Sequence, residues 1–194
     1  MVTSLCACDK LGIAAAPGAA PAVAFRGADI TGASYARTLA LPDVSGAPRT
    51  LAEFKGKVVV VFFGYTQCPD VCPTTMAELA QAKQALGTDA QRLQAVFVTI
   101  DPERDTPEIL KSYIGSFDPG FVALRGTIEQ TQAAAKEFKV FFAKVPGKVA
   151  GSYTMDHTAG AYIIDTKGNP RLFERYGGGA EALIADVKAL LAQG

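Results

Sequence analysis

Hydrophobic residues fall along this chain in blocks whose spacing changes from one to the next, and each change predicts a different element. Residues 58–63 read Val-Val-Val-Val-Phe-Phe, apolar without alternation, which is the pattern of a central strand covered on both faces. Further on, Met76, Leu79, Ala82 and Leu86 recur at helical spacing, and Gly87 follows as a natural stop. Residues 93–100 form a second apolar strand. Ile109, Leu110, Tyr113, Ile114 and Phe117 then mark the buried face of another helix, with Thr106 as its cap and Pro107 in the first helical position. A short strand at 121–124 and a more polar helix at 128–138 continue the alternation.

The order changes towards the C-terminus. Residues 161–165 and 171–176 read as two strands joined across Lys167-Gly168-Asn169-Pro170, a tight turn, and Leu183, Ile184, Val187, Leu190 and Leu191 make a final amphipathic helix. Near the start, residues 35–41 and 48–51, separated by Ser45-Gly46, predict a small leading hairpin. A β-α-β crossover with a β-β-α close is an α/β fold with a mixed sheet flanked by helices; the alternation alone supports nothing narrower.

Ahead of this pattern, residues 14–24 are almost wholly Ala, Pro, Gly and Val with no period. The expected organisation is therefore a flexible tether over residues 1–34 and one domain over 35–194. Within the tether, Leu5-Cys6-Ala7-Cys8 resembles the end of a bacterial lipoprotein signal, in which Cys8 would be lipidated; a pair of exposed, unstructured thiols is the alternative. No segment is long and apolar enough to span a bilayer.

Composition narrows the function classes. A chain of 194 residues, 49% hydrophobic and 20% charged, can bury one good core. Nineteen basic residues balance nineteen acidic ones, so no long-range field favours nucleic acid or anionic lipid, and nucleic acid is set aside as a partner. The four cysteines, Cys6, Cys8, Cys68 and Cys72, are too few and too clustered to staple a domain of this size, and read as chemistry.

That chemistry centres on the turn after the first strand. Cys68 and Cys72 fall near the N-terminus of the following helix, where unpaired amides and the helix dipole favour thiolate over thiol. His157 is the only histidine in the chain. Two sulfurs and an imidazole suit Cu(I) and can also hold Cu(II), with zinc as the main competing metal and oxygen-loving ions as poor guests. Each residue also has a plainer reading. The cysteines could be a redox pair or a structural disulfide, though a bridge closing so short a loop removes little unfolded-state entropy; His157 could be a solvated or core histidine. A peroxidatic Cys68 ranks behind both.

Other candidates are weaker. Met76 and Met155 read as core filler rather than extra ligands, and Asp70 and Asp156 as groups that orient the site or simply as solvated turn residues. Asp101-Pro102-Glu103-Arg104-Asp105 lacks the alternation of a calcium loop and reads as the turn and helix cap beneath the cysteines, useful in recognition rather than ligation. Gly177-Gly178-Gly179 is not followed by Lys-Ser/Thr, so it reads as a turn into the last helix and not a phosphate cradle.

Three blocks narrow the fold and the function together. Gly64-Tyr65-Thr66-Gln67-Cys68-Pro69-Asp70-Val71-Cys72-Pro73, Asp101-Pro102-Glu103-Arg104-Asp105-Thr106-Pro107 and Asp156-His157-Thr158, in that order, resemble the SCO/SenC family of copper proteins from about residue 35 to the last helix. Paired cysteines at the first strand-to-helix junction also resemble thioredoxins, but three residues separate the cysteines here where thioredoxins have two. The resemblance implies a thioredoxin-like fold, copper as the bound ion, and Cys68, Cys72 and His157 as its ligands. It further implies a domain tethered at the periplasmic face of the bacterial inner membrane, or the intermembrane-space face of the mitochondrial one. There it would help deliver copper to the CuA centre of cytochrome c oxidase. The implied partners are the CuA-bearing subunit, a copper donor and a thiol reductase. A thiol-disulfide oxidoreductase remains the alternative, with Cys68 as attacking thiol and Cys72 as its redox partner.

Overall fold

A computed structural model describes residues 24–194. Its elements are β1 (Ala28–Asp29), β2 (Ala40–Pro42), β3 (Pro48–Thr50), β4 (Val58–Gly64), α1 (Val71–Ala85), β5 (Leu93–Thr99), α2 (Pro107–Gly115), β6 (Val122–Leu124), α3 (Ile128–Glu137), β7 (Phe142–Pro146), β8 (Tyr153–His157), β9 (Gly160–Ile164), β10 (Pro170–Arg175) and α4 (Gly179–Leu191), with short 3₁₀ turns at Leu51–Phe54 and Gly87–Arg92. Six strands form one sheet in the order β1-β10-β9-β4-β5-β6. β4, β5 and β6 run parallel, whereas β9 lies antiparallel to β4 and to β10. This mixed sheet flanked by helices is the thioredoxin-like arrangement expected from the sequence.

The unbroken apolar run of β4 is explained by its position. It pairs on both edges, with β5 and β9, and every one of its residues is buried. β5 is likewise buried along its whole length. At α2 the expected cap is present, Thr106 Oγ1 accepting from the Ile109 amide at 3.3 Å with Pro107 opening the helix. Ile109 itself departs from expectation: it is 44% exposed, because Leu110 and Ile114 take the inward face of this short helix.

Two further expectations need correction. The leading hairpin is confined to residues 40–42 and 48–50, since Ala36 adopts a left-handed backbone (φ 57°) while its amide donates to the Glu137 carbonyl, so the chain turns where a strand was expected. The tether does not extend to residue 34. β1 adds to the edge of β10, and the buried Asp186 carboxylate on α4 accepts from the amides of Arg26 (2.9 Å) and Gly27 (2.7 Å). The folded body therefore reaches back to about residue 26; Cys6, Cys8 and the Ala/Pro/Gly run to residue 23 lie outside the described residues. No helix among the described residues is long and apolar enough to cross a membrane.

The β7–β8 hairpin was not expected at all. It forms its own two-stranded sheet, pairing Phe142 with His157 and Pro146 with Tyr153. Among these ten residues only Met155 is fully buried, so the period-2 signal is faint, and Pro146 argues against a strand.

Candidate metal centre

The first two donors follow from how β4 hands over to α1. After Gly64 the chain turns through residues 65–70, the Cys68 amide donating to the Tyr65 carbonyl at 3.3 Å, and α1 begins at Val71. Asp70 occupies the cap position without capping the helix through its side chain; its carboxylate instead accepts from the Tyr176 hydroxyl at 3.1 Å. The Cys68 sulfur takes over part of that task, accepting from the Cys72 amide in the first helical turn at 3.4 Å. Both thiols are free. Cys72 is completely buried and Cys68 half-buried.

This setting separates the two sulfurs chemically. The Cys72 thiol donates to Cys68, and the amides of Asp70 and Cys72 add to that stabilisation, which holds the Cys68 thiol down at about 5 despite its partial burial. The same hydrogen bond, with Cys72 as donor, combines with burial to push Cys72 up. The pair thus shares one proton, held by the inner sulfur.

His157 arrives 85 positions after Cys72, at the end of β8. Its Nδ1 lies 3.0 Å from the Thr158 carbonyl oxygen, which can only accept, so Nδ1 is the donor nitrogen and Nε2 is the one left to face a metal. Nε2 faces the sulfurs, 3.7 Å from Cys72 Sγ. The Phe62 and Tyr65 rings stand edge-on to the imidazole, each with its centroid 6.1 Å away. The donor atoms of Cys68, Cys72 and His157 all lie within 4.8 Å of one another.

The model of the SCO1/SenC family matches residues 28–192. The chain belongs to the SCO1/SenC family. An SCO2-like protein of Rickettsia felis is 38% identical over 129 residues, covering 66% of this chain and 63% of that protein. The chain thus spans a little over three-fifths of the length of such curated relatives. Among solved structures, Bradyrhizobium japonicum ScoI with copper bound is 40% identical at a TM-score of 0.71, covering 79% of this chain and 97% of that one. The solution structure of apo Sco1 from Thermus thermophilus is 36% identical at 0.77, covering 88% and 99%.

For this SCO1/SenC domain the remaining candidates sort by position. Met76 and Met155 are buried, as core filler should be. Asp156 is exposed beside His157. Gly177, with φ 91°, begins the turn into α4, as read from the sequence. Asp105 lies under the cysteine loop: its buried carboxylate accepts from Thr66 Oγ1 and Thr99 Oγ1, both at 2.6 Å, and from the Thr66 amide at 3.2 Å, although burial still pushes the acid up. Gly64 is the residue whose role the sequence hid. A Cβ there would stand 2.8 Å from Cys72 Sγ and from the Phe62 ring, so only glycine leaves the inner sulfur its space. No local signal marks this, because the clash is with a helix that returns across the strand's end.

Proposed function

We propose that this domain is a copper metallochaperone that takes one copper ion through Cys68, Cys72 and His157. The observation that carries the reading is the convergence of two sulfurs and one imidazole Nε2 within 4.8 Å at a site whose other close walls are aromatic. Two thiolates satisfy Cu(I), and the imidazole extends the site to Cu(II), while hard cations find no carboxylate among these donors. Likeness to solved relatives holding copper, from Bradyrhizobium japonicum, Arabidopsis thaliana and yeast, supports the same cargo. With Cys68 already ionised near neutral pH, loading removes one proton, from Cys72. Three donors leave room for an incoming thiolate of an acceptor, so the ion can change hands by ligand exchange.

The acceptor in this reading is the CuA-bearing subunit of cytochrome c oxidase, with a separate copper donor and a thiol reductase acting on the same cysteines. The domain would work at the periplasmic face of the bacterial inner membrane, or its mitochondrial counterpart, held there through residues ahead of the folded body.

A second reading has its own observation. An ionised, half-buried Cys68 beside a protonated Cys72 is also how a dithiol attacks a target disulfide and then resolves the mixed disulfide. His157→Ala separates the two readings. It should remove stable Cu(II) binding, followed by the thiolate-to-copper absorption band, while leaving dithiol-disulfide cycling with a small-molecule disulfide intact. A variant with wild-type copper affinity would refute the three-donor site.

A further inference from the structure

Arg104 is assigned no role by the copper site as described, yet it joins the turn that carries Cys68 to the strand that ends in His157. Its Nε donates to Asp101 Oδ2, inside the loop that follows β5. From the same guanidinium, Nη1 donates to the Tyr153 carbonyl at 2.8 Å and to Gln67 Oε1, next in sequence to Cys68, at 3.1 Å. The guanidinium carbon stands 3.7 Å from the centroid of the Tyr153 ring and 5.7 Å from that of Tyr65, the ring that walls His157. Asp101 completes the arrangement with its second oxygen, which accepts from the Tyr153 hydroxyl at 2.9 Å. Tyr153 is therefore gripped at three places: carbonyl, ring face and hydroxyl.

That grip matters because of where Tyr153 sits. It opens β8, the strand that ends in His157, and the β7–β8 hairpin has no backbone pairing with the six-stranded sheet. Cys72 needs no such help, since α1 holds it directly, and Cys68 lies in the short turn strung between β4 and α1. Asp101 is 1% exposed and its amide donates to Thr99 Oγ1 at 3.0 Å, so the brace is rooted in the end of β5. A planar fork with donors in fixed directions holds a carboxylate, a carbonyl and an amide oxygen while lying flat on a ring; an ammonium has three donors but neither that span nor a flat face.

We infer that Arg104, seated on Asp101, is a positioning residue that holds the His157 hairpin against the cysteine loop and thereby sets how well the site keeps Cu(II) relative to Cu(I). This rests on the copper reading above. Two thiolates carry most of the Cu(I) affinity, with the imidazole as a weaker third donor, whereas Cu(II) depends on the imidazole, so loosening the hairpin weakens Cu(II) far more than Cu(I). Partners that orient a metal ligand typically contribute 10–100-fold in affinity, so Arg104→Ala should lower Cu(II) affinity by about that factor. Cu(I) affinity should stay within about threefold by the same reasoning. With Cu(II) weakened selectively by about 10–100-fold, the one-electron potential of the bound ion rises by roughly 60–120 mV, at 59 mV per tenfold.

The experiment compares wild type, Arg104→Ala, Arg104→Lys and Tyr153→Phe in Cu(I) and Cu(II) competition titrations, with the thermal midpoint of the metal-free protein measured alongside. A second readout needs no metal: contacts between the single histidine ring and the Phe62 and Tyr65 rings, seen by NMR in the reduced apo protein. The expected result is a selective loss of Cu(II) affinity and of those ring contacts in Arg104→Ala, with Arg104→Lys and Tyr153→Phe intermediate. Unchanged Cu(II) affinity in Arg104→Ala overturns the proposal. So does an equal fall in both oxidation states, which would mark a purely structural residue. A wild-type chain that takes up no copper would refute the copper reading instead, and the brace is then judged by the ring contacts alone: their persistence in Arg104→Ala overturns it.

Discussion

The two halves of the candidate centre are built in opposite ways. The sulfurs sit where a fully buried strand of the sheet meets α1, and Cys72 packs so tightly that a methyl group at Gly64 would collide with it. The imidazole sits at the open end of a two-stranded hairpin outside that sheet, opposite Phe142 and just ahead of β9, with one buried methionine and a polar brace along the hairpin. Main-chain hydrogen bonds and apolar packing settle the first arrangement, and side-chain hydrogen bonds the second. A centre made this way keeps its sulfur pair as long as the domain is folded, while its third donor can be adjusted by changes that leave the core alone.

The sharpest test of the sulfur side is its acidity before any metal arrives. Because the thiolate forms as pH rises through the thiol's pKa, alkylation of the reduced protein at Cys68 should have its midpoint at about 5. An ordinary cysteine would give about 8.5, and a midpoint there would mean that the helix terminus and Cys72 do not prepare the sulfur. Gly64→Ala comes next. Forcing a Cβ to within 2.8 Å of Cys72 Sγ and Phe62 should cost about 1–3 kcal/mol in urea denaturation and lower copper affinity with it. Unchanged stability would show that the junction is looser than described. The smallest effect belongs to the hairpin's outer side. Lys144 and Glu103 pair at 2.6 Å but are largely solvated, so Lys144→Ala should leave the denaturation midpoint and both copper affinities where they were. A loss of Cu(II) affinity in that variant would extend the brace beyond Asp101 and Arg104.

The same contrast explains what the sequence could reveal. β4, β5 and α1 are legible because burial on all sides writes an unbroken apolar run or a helical stripe, and the thiols stand out at the junction between them. The α2 cap is legible for a local reason: Thr106 and Pro107 act on their own helix. By contrast, the hairpin that carries His157 is half solvated and contains Pro146, so its alternation is faint. The histidine was found through its rarity and the resemblance of its neighbours to a known family, not through the strand that holds it. Asp101 to Asp105 could be read as a turn and a cap, since those are local. That Arg104 reaches Gln67 and Tyr153, 37 and 49 positions away, follows only from the tertiary fold. The start of the body is hidden from the sequence for a similar reason, because Asp186, far along α4, is what captures the amides of residues 26 and 27.

The central claim is that Cys68, Cys72 and His157 together hold one copper ion. Its most direct test is an anaerobic titration of the reduced protein with Cu(I), followed by X-ray absorption for ligand type. The account predicts an end point at one ion per chain, with two sulfurs and one imidazole nitrogen about the metal. An end point at two ions, or a first shell of sulfur alone, would contradict it.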